Sequence, residues 1–231
     1  MYVLECKNLS KSYGSKRALE NVNLQLASGR IVGLLGPNGS GKTTLIKLAE
    51  RLLQPTSGEI LIDGQTPGTA SKASIAYLPD REYLPDYMTV EQLLKFYADF
   101  FKDFDTERAE LMLNNLGIRK NQRLKKLSKG TKEKVQLVLT MSRDAKIYIL
   151  DEPIAGVDPA ARDYILKTII SNYSPDSLVI ICTHLISDIE SVLDEVVFLK
   201  EGRVVLHRNA DELREEKGKN IDGLFREVFA C

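Results

Sequence analysis

Residues 36–43 read Gly-Pro-Asn-Gly-Ser-Gly-Lys-Thr, and this octapeptide constrains the chain more than any other stretch. It meets every fixed position of G-x-x-x-x-G-K-[ST], a loop whose glycines let backbone N–H groups turn inward around an anion. Just before it, Ile31-Val-Gly-Leu-Leu35 is a continuous apolar run, as expected of a strand buried on both faces. A helical pattern follows from about Lys42 to Leu53, and its N-terminus adds partial positive charge at the same point. The candidate phosphate contacts are Gly36, Pro37, Asn38, Gly39, Ser40, Gly41, Lys42, Thr43 and Thr44. Lys42 is placed to reach the β- and γ-phosphates of a nucleotide, and the Thr43 hydroxyl to bind Mg²⁺. A glycine-rich turn with a chance lysine would not explain the strand and helix on either side.

A second run supplies what the loop lacks. Ile147-Tyr-Ile-Leu-Asp151-Glu152 is a buried strand ending in two carboxylates. Asp151 suits the Mg²⁺ shell beside the phosphates, and Glu152 suits a general base that orients and deprotonates water. Alone, the pair would equally well cap a helix after a core strand; a phosphate loop on the same sheet favours the catalytic reading.

The surrounding sequence limits the fold. Residues 2–28 alternate apolar and polar, as in Val22-Asn-Leu-Gln-Leu26, and Gly58 to Gly64 is another strand, so an antiparallel β-subdomain is expected near the N-terminus. From Thr89, the positions Val90, Leu93, Leu94, Tyr97, Phe100 and Phe101 fall on one helical face, and a second helix from about Thr106 to Leu116 stops at Gly117. Strand-like runs resume at 146–150, 178–182 and 195–199 with helical segments between them. The expected fold is α/β: a P-loop NTPase core with a mostly parallel sheet (1–80 and 144–210), an inserted helical lobe (81–143) and a short helical tail (211–231).

Charge and apolar patterning exclude several functions. The 32 basic residues cancel the 32 acidic ones, so no global field recruits nucleic acid or an anionic membrane. No apolar run approaches the roughly 18 residues needed to span a bilayer, and the N-terminus lacks the layout of a secretory signal. Cys6, Cys182 and Cys231 lie far apart without metal-ligand spacing, which points to reduced thiols and a cytosolic location.

With both phosphate motifs placed, residues 2–210 resemble the nucleotide-binding domain of ABC transporters. Leu127-Ser-Lys-Gly-Thr131 stands where that family has its LSGGQ signature, and Ala155-Gly-Val-Asp158 resembles its D-loop. His184 matches the switch histidine, Tyr13 the aromatic residue that stacks on adenine, and Tyr77-Leu-Pro-Asp80 the Q-loop. The resemblance implies a two-fold dimer in which each ATP lies between one subunit's phosphate loop and the other's signature. Ser128 and the Gly130 backbone would then bind the partner's γ-phosphate, and Asp158 would link the two sites. Lys42, Glu152 and His184 form the implied catalytic set, with Mg²⁺ held by Thr43, Asp151 and Asp80. It further implies a second ATPase subunit and transmembrane permease subunits, with the chain on the cytoplasmic face of the membrane and no direct nucleic-acid contact.

Two positions depart from the family pattern: Asp80 replaces glutamine, and in the signature Lys129 replaces glycine while Thr131 replaces glutamine. Lys129 either aids the γ-phosphate or faces solvent. Arg119 to Lys134 holds eight basic residues against one acid, Glu133, and reads first as a solvated face. The Leu-Ser-Lys-Gly variant with Asp-Glu-Pro-Ile-Ala-Gly-Val-Asp-Pro is most similar to ATPases of bacterial ABC-2-type exporters. Residues 80–90 either line a groove for the membrane partner or form a surface loop packed on the lobe. The alternative class is a soluble ABC ATPase acting on nucleic acid or the ribosome, but no long heptad tract and no second ATPase domain are present. A P-loop GTPase or small-molecule kinase would leave the signature, D-loop and switch histidine unexplained.

Overall fold

Side chains alternate across a strand, so a strand buried on both faces must feed two cores. The computed structural model, which describes residues 2–155 and 159–229, shows this alternation throughout its central sheet. The chain begins with β1 (Tyr2–Tyr13), β2 (Lys16–Ala27), β3 (Arg30–Leu35), α1 (Lys42–Ala49), β4 (Ser57–Ile62), the short α2 (Thr69–Ala73) and β5 (Ile75–Leu78). Three helices follow: α3 (Val90–Phe100), α4 (Thr106–Asn115) and α5 (Lys129–Met141). The remainder alternates β6 (Ile147–Asp151), α6 (Pro159–Asn172), β7 (Leu178–Cys182), the short α7 (Ile186–Ile189), β8 (Glu195–Lys200) and β9 (Arg203–Asn209), then ends in α8 (Ala210–Lys217) and α9 (Ile221–Phe229).

Six strands form one sheet in the order β5-β6-β7-β3-β8-β9, parallel except for β9. Three others form an antiparallel sheet, β2-β1-β4. Val32, Leu34, Ile147, Ile149, Ile180 and Val197 share one core with α1 and the antiparallel sheet. Their neighbours Ile31, Leu35, Tyr148, Leu150, Ile181 and Phe198 face the other way, into a core shared with α3, α4, α5 and α6. Cys6 and Cys182 are buried thiols, and burial pushes Cys6 up to about 12.

Local chemistry sets the helix starts. The Thr89 hydroxyl accepts the Gln92 N–H (3.2 Å), and the Gln92 carboxamide accepts the Thr89 N–H in return (2.9 Å). Asp105 caps α4 through the Arg108 N–H, and Ser128 caps α5 through the Thr131 N–H.

Some expectations change. Helix α1 stops at Ala49 rather than near Leu53, because Arg51 turns left-handed (φ +50°) while its guanidinium donates to the Pro67 carbonyl. Phe100 does not share the buried face of α3: it is 68% exposed, and Phe101 has already left the helix. Strands β5 and β9 lacked a sequence signal, one being only four residues long and the other an edge strand whose apolar run, Val204 to Leu206, is three residues. The tail is two helices, α8 and α9, with Phe225 and Phe229 packed on Phe198.

Arg143 joins α5 to the sheet. It is 3% exposed, grips Asp103 through two bonds (2.7 and 2.9 Å), donates to the carbonyls of Ile75 and Ala73, and lies 3.9 Å from the Phe101 ring centroid. Asp103→Ala would leave this buried charge without its carboxylate. It is expected to lower unfolding free energy by about 2–4 kcal/mol, read as a lower urea midpoint at unchanged slope.

Candidate active site

The turn from β3 into α1 is shaped by steric necessity. A Cβ on Gly36 would lie 2.3 Å from the Leu199 carbonyl oxygen, and Gly41 combines φ +114° with an approach of 2.6 Å to the Ala18 carbonyl oxygen. Ser40 is 2% exposed, and its hydroxyl is a buried polar atom without a hydrogen-bond partner among the described residues. Gly41 gives α1 no side-chain cap, and no acidic residue occupies the first turn. The helix therefore presents unsatisfied N–H groups and no competing negative charge to the loop. The Lys42 ammonium lies back over the same loop, donating to the carbonyls of Gly36 (2.6 Å) and Pro37 (3.2 Å).

This loop floors a cleft of about 400 Å³ that brings together Tyr13, Asn38 to Thr44, Asp80, Asp151 and Glu152. Tyr13, at the end of β1, is 46% exposed on the rim, with the Lys11 ammonium 5.5 Å from its ring. Lys16 and Ala18 of β2 also line the cleft, and no motif had marked them.

Asp151 ends β6 with its carboxyl pushed up from the usual 3.8 to about 6, first by burial and then by the charges of Asp80 and Glu152, with Lys42 opposing. Three carboxylates facing one ammonium make a site that a divalent cation would relieve. Carboxylate and hydroxyl oxygens from Asp151, Asp80 and Thr43 are donors suited to Mg²⁺. Among the described residues no group of three or more His, Cys, Asp or Glu could hold a metal by itself.

Glu152 is held from β7. Its N–H donates to the Cys182 carbonyl (2.7 Å), and its φ of +54° is the left-handed region that side chains other than glycine rarely adopt. His184 Nδ1 lies 2.9 Å from Glu152 Oε1, and the Thr183 hydroxyl donates to Oε2 (2.8 Å). His184 is not a wall of the cleft but reaches it through this carboxylate. Thr183 was not legible as a site residue; only its place before His184 marks it.

Ser128 and Gly130 do not line this cleft. The Ser128 hydroxyl is 2.8 Å from that of Thr131, and a Cβ on Gly130 would meet nothing within 4 Å among the described residues. A second cavity of about 120 Å³ joins Lys129, Glu133 and Gln136 of α5 to Asp80, Asp151 and Glu152. Lys132, in the basic run, bridges Glu82 and Asp86. Leu84 is buried and the Tyr83 hydroxyl bonds that of Tyr97, so the 80–90 loop packs on the helical lobe while Tyr87 is 77% exposed. Asp158 lies outside the described residues.

A phosphate cradle, a cluster of oxygen donors and an anchored glutamate at one end of a parallel sheet define a P-loop ATPase site. Residues 19–155 match the ABC transporter family model. The chain is 31% identical to the Bacillus subtilis ABC transporter ATP-binding protein YtrB, over 93% of this chain and 74% of that one. It is 30% identical to the SkfA peptide export ATP-binding protein SkfE of the same organism (94% and 93%), and 28% identical to the Streptococcus pyogenes lantibiotic transport ATP-binding protein SrtF (96% of each). A solved ATP-binding subunit of an ABC transporter superposes with a TM-score of 0.89 at 30% identity, covering 98% of this chain and 99% of that one. The chain belongs to the ABC transporter family, as an ATP-binding subunit whose ATPase activity is coupled to transport.

The raised Asp151 carboxyl has a consequence for stability. The folded protein holds this proton more tightly than the unfolded chain does, so stability falls as pH rises from about 4 through about 6. Without nucleotide or divalent cation, Asp151→Asn is expected to stabilise the fold at about pH 8 by roughly 1–2 kcal/mol, discounted for its solvent-facing side, and to have little effect at about pH 4. Thermal unfolding across that range checks it.

Proposed function

We propose that this chain is the motor of an ABC exporter, in which ATP closes two such subunits and hydrolysis reopens them. The observation that carries the hydrolytic half is Glu152, anchored on both oxygens beside Asp151 and directed at the phosphate cleft. The relatives named for peptide export and lantibiotic transport support the direction of transport.

In this reading the backbone of Gly36, Pro37, Asn38, Gly39, Ser40 and Gly41 wraps the phosphates, with Thr44 at the start of α1. Tyr13 stacks on adenine, and Lys42 leaves the loop carbonyls for the β- and γ-phosphates. Thr43, Asp151 and Asp80 hold Mg²⁺, which neutralises charge developing on the phosphate oxygens. Glu152 takes the proton of the attacking water, and His184 holds the γ-phosphate.

Ser128 and Gly130 serve the nucleotide of the partner subunit, since they stand away from their own cleft and Gly130 has open space before it. Asp158 links the two sites. Residues 81–143 act as a lobe on the core formed by 1–80 and 144–210, and α9 of the 211–231 tail braces that core through Phe225 and Phe229. Transmembrane permease subunits dock beside the 80–90 loop, where Tyr87 is presented outward, and hold the chain on the cytoplasmic face of the membrane.

Glu152→Gln removes the base while keeping its shape. It is expected to lower kcat by about 10²–10⁴-fold and to trap an ATP-bound dimer visible by gel filtration; rapid hydrolysis by this variant would remove Glu152 as the base. Purification from detergent-solubilised membranes is expected to bring down a polytopic membrane subunit. Recovery solely with ribosomes or DNA would overturn the transporter reading.

A further inference from the structure

Glu152 is held by two side chains whose circumstances differ. His184 is exposed, its side chain 68% accessible, and it touches Oε1 from solvent. Thr183 is 1% exposed and touches Oε2 from inside the fold. A ring at the surface can leave its partner at small cost, whereas a buried hydroxyl that left would forfeit a bond no water replaces.

The backbone fixes the threonine's position. Asp151 pairs with Cys182 in the parallel register of β6 and β7, and the Glu152 N–H donates to the Cys182 carbonyl. The residue after Asp151 is thus tied to the residue before Thr183, which places the two side chains beside each other. The Leu185 N–H donates to the Thr183 oxygen (3.1 Å). With that acceptor position filled from the following turn, the single hydroxyl hydrogen is directed to Glu152. A donor to a carboxylate makes a charge-assisted bond, stronger than one between neutral groups.

We propose that Thr183 is a positioning residue for the hydrolytic step. It keeps Oε2 fixed while His184 moves to the γ-phosphate, so that Oε1 becomes the oxygen presented to the attacking water. This rests on Glu152 being the base. The threonine exchanges no proton with substrate; it sets the direction of the carboxylate that does, and such an aim must hold within a fraction of an ångström to be effective.

Steady-state ATPase kinetics on the full-length chain test this with Thr183→Val, Thr183→Ser and Glu152→Gln. Thr183→Val is expected to lower kcat about 10–100-fold, the loss of one charge-assisted bond, while KM for ATP stays within about twofold. Thr183→Ser, which keeps the hydroxyl, is expected to restore kcat to within about threefold of the native chain. ATP-dependent dimerisation reports whether Thr183→Val folds; if it does not, Thr183→Ala takes its place. Combined with Glu152→Gln, loss of the hydroxyl is expected to cause no further fall, because the two act as a unit.

A native kcat in Thr183→Val, or equal impairment of the serine and valine variants, overturns the proposal. Near-abolished hydrolysis in Glu152→Gln beside native activity in Thr183→Val would sink Thr183 alone. Retained hydrolysis in Glu152→Gln would sink the base assignment and Thr183 with it.

Discussion

Parallel pairing of β6, β7 and β3 is the constraint on which the rest of the molecule depends. Leu178 pairs with both Ile147 and Arg30, so the three strands start at one level. With nearly equal lengths they also end at one level, at Asp151, Cys182 and Leu35. The loop from Gly36, the carboxylates of Asp151 and Glu152, and the Thr183–His184 pair therefore leave the sheet along one rim. A one-residue slip would exchange the faces of a whole strand and bury Leu150 where Ile149 belongs. The two apolar cores thus do more than hold the sheet together; they set the register that aligns the site.

Close packing extends that constraint into the loop. The oxygens of Leu199 and Ala18 stand where side chains on Gly36 and Gly41 would have to go. The loop is wedged between β8 and β2, and its amides are oriented before any ligand arrives. Electrostatic binding gains from such preorganisation, because dipoles already aimed need no rearrangement. Glu152 shows the same economy. Its left-handed backbone is unfavourable by itself, and the Cys182 carbonyl, Thr183 and His184 together hold it there.

What was legible in the sequence follows from which interactions are local. The phosphate loop is contiguous, so Gly36 to Thr43 could be read directly, and Ile147 to Glu152 ends a run whose apolar continuity marks a central strand. The capping residues Thr89 and Asp105 also act within three positions of sequence. Phe100 misled because periodicity reports an apolar stripe without reporting how far the neighbouring elements cover it. Strand β9 was lost because an edge strand need not be apolar throughout, and its apolar run, Val204 to Leu206, is only three residues between Arg203 and His207-Arg208. Thr183 and Lys16 belong to the site through folding alone: each is ordinary in its own segment, and partners tens of residues away give it significance.

The two departures from the family pattern also meet only in three dimensions. Asp80 and Lys129 are 49 positions apart, yet both line the cavity between α5 and the sheet. Four carboxylates line it with them or beside them, those of Asp80, Glu133, Asp151 and Glu152, against the single ammonium of Lys129. Burial raises the Glu133 carboxyl, Asp80 and Glu82 raise it further, and Lys129 opposes them. A glycine at 129 would leave the acidic residue of α5 facing the acidic rim of the sheet with no cation between them. A glutamine at 80 would remove one of these four carboxylates. The lysine and the aspartate, each unusual beside the family pattern, act on Glu133 in opposite directions across this cavity.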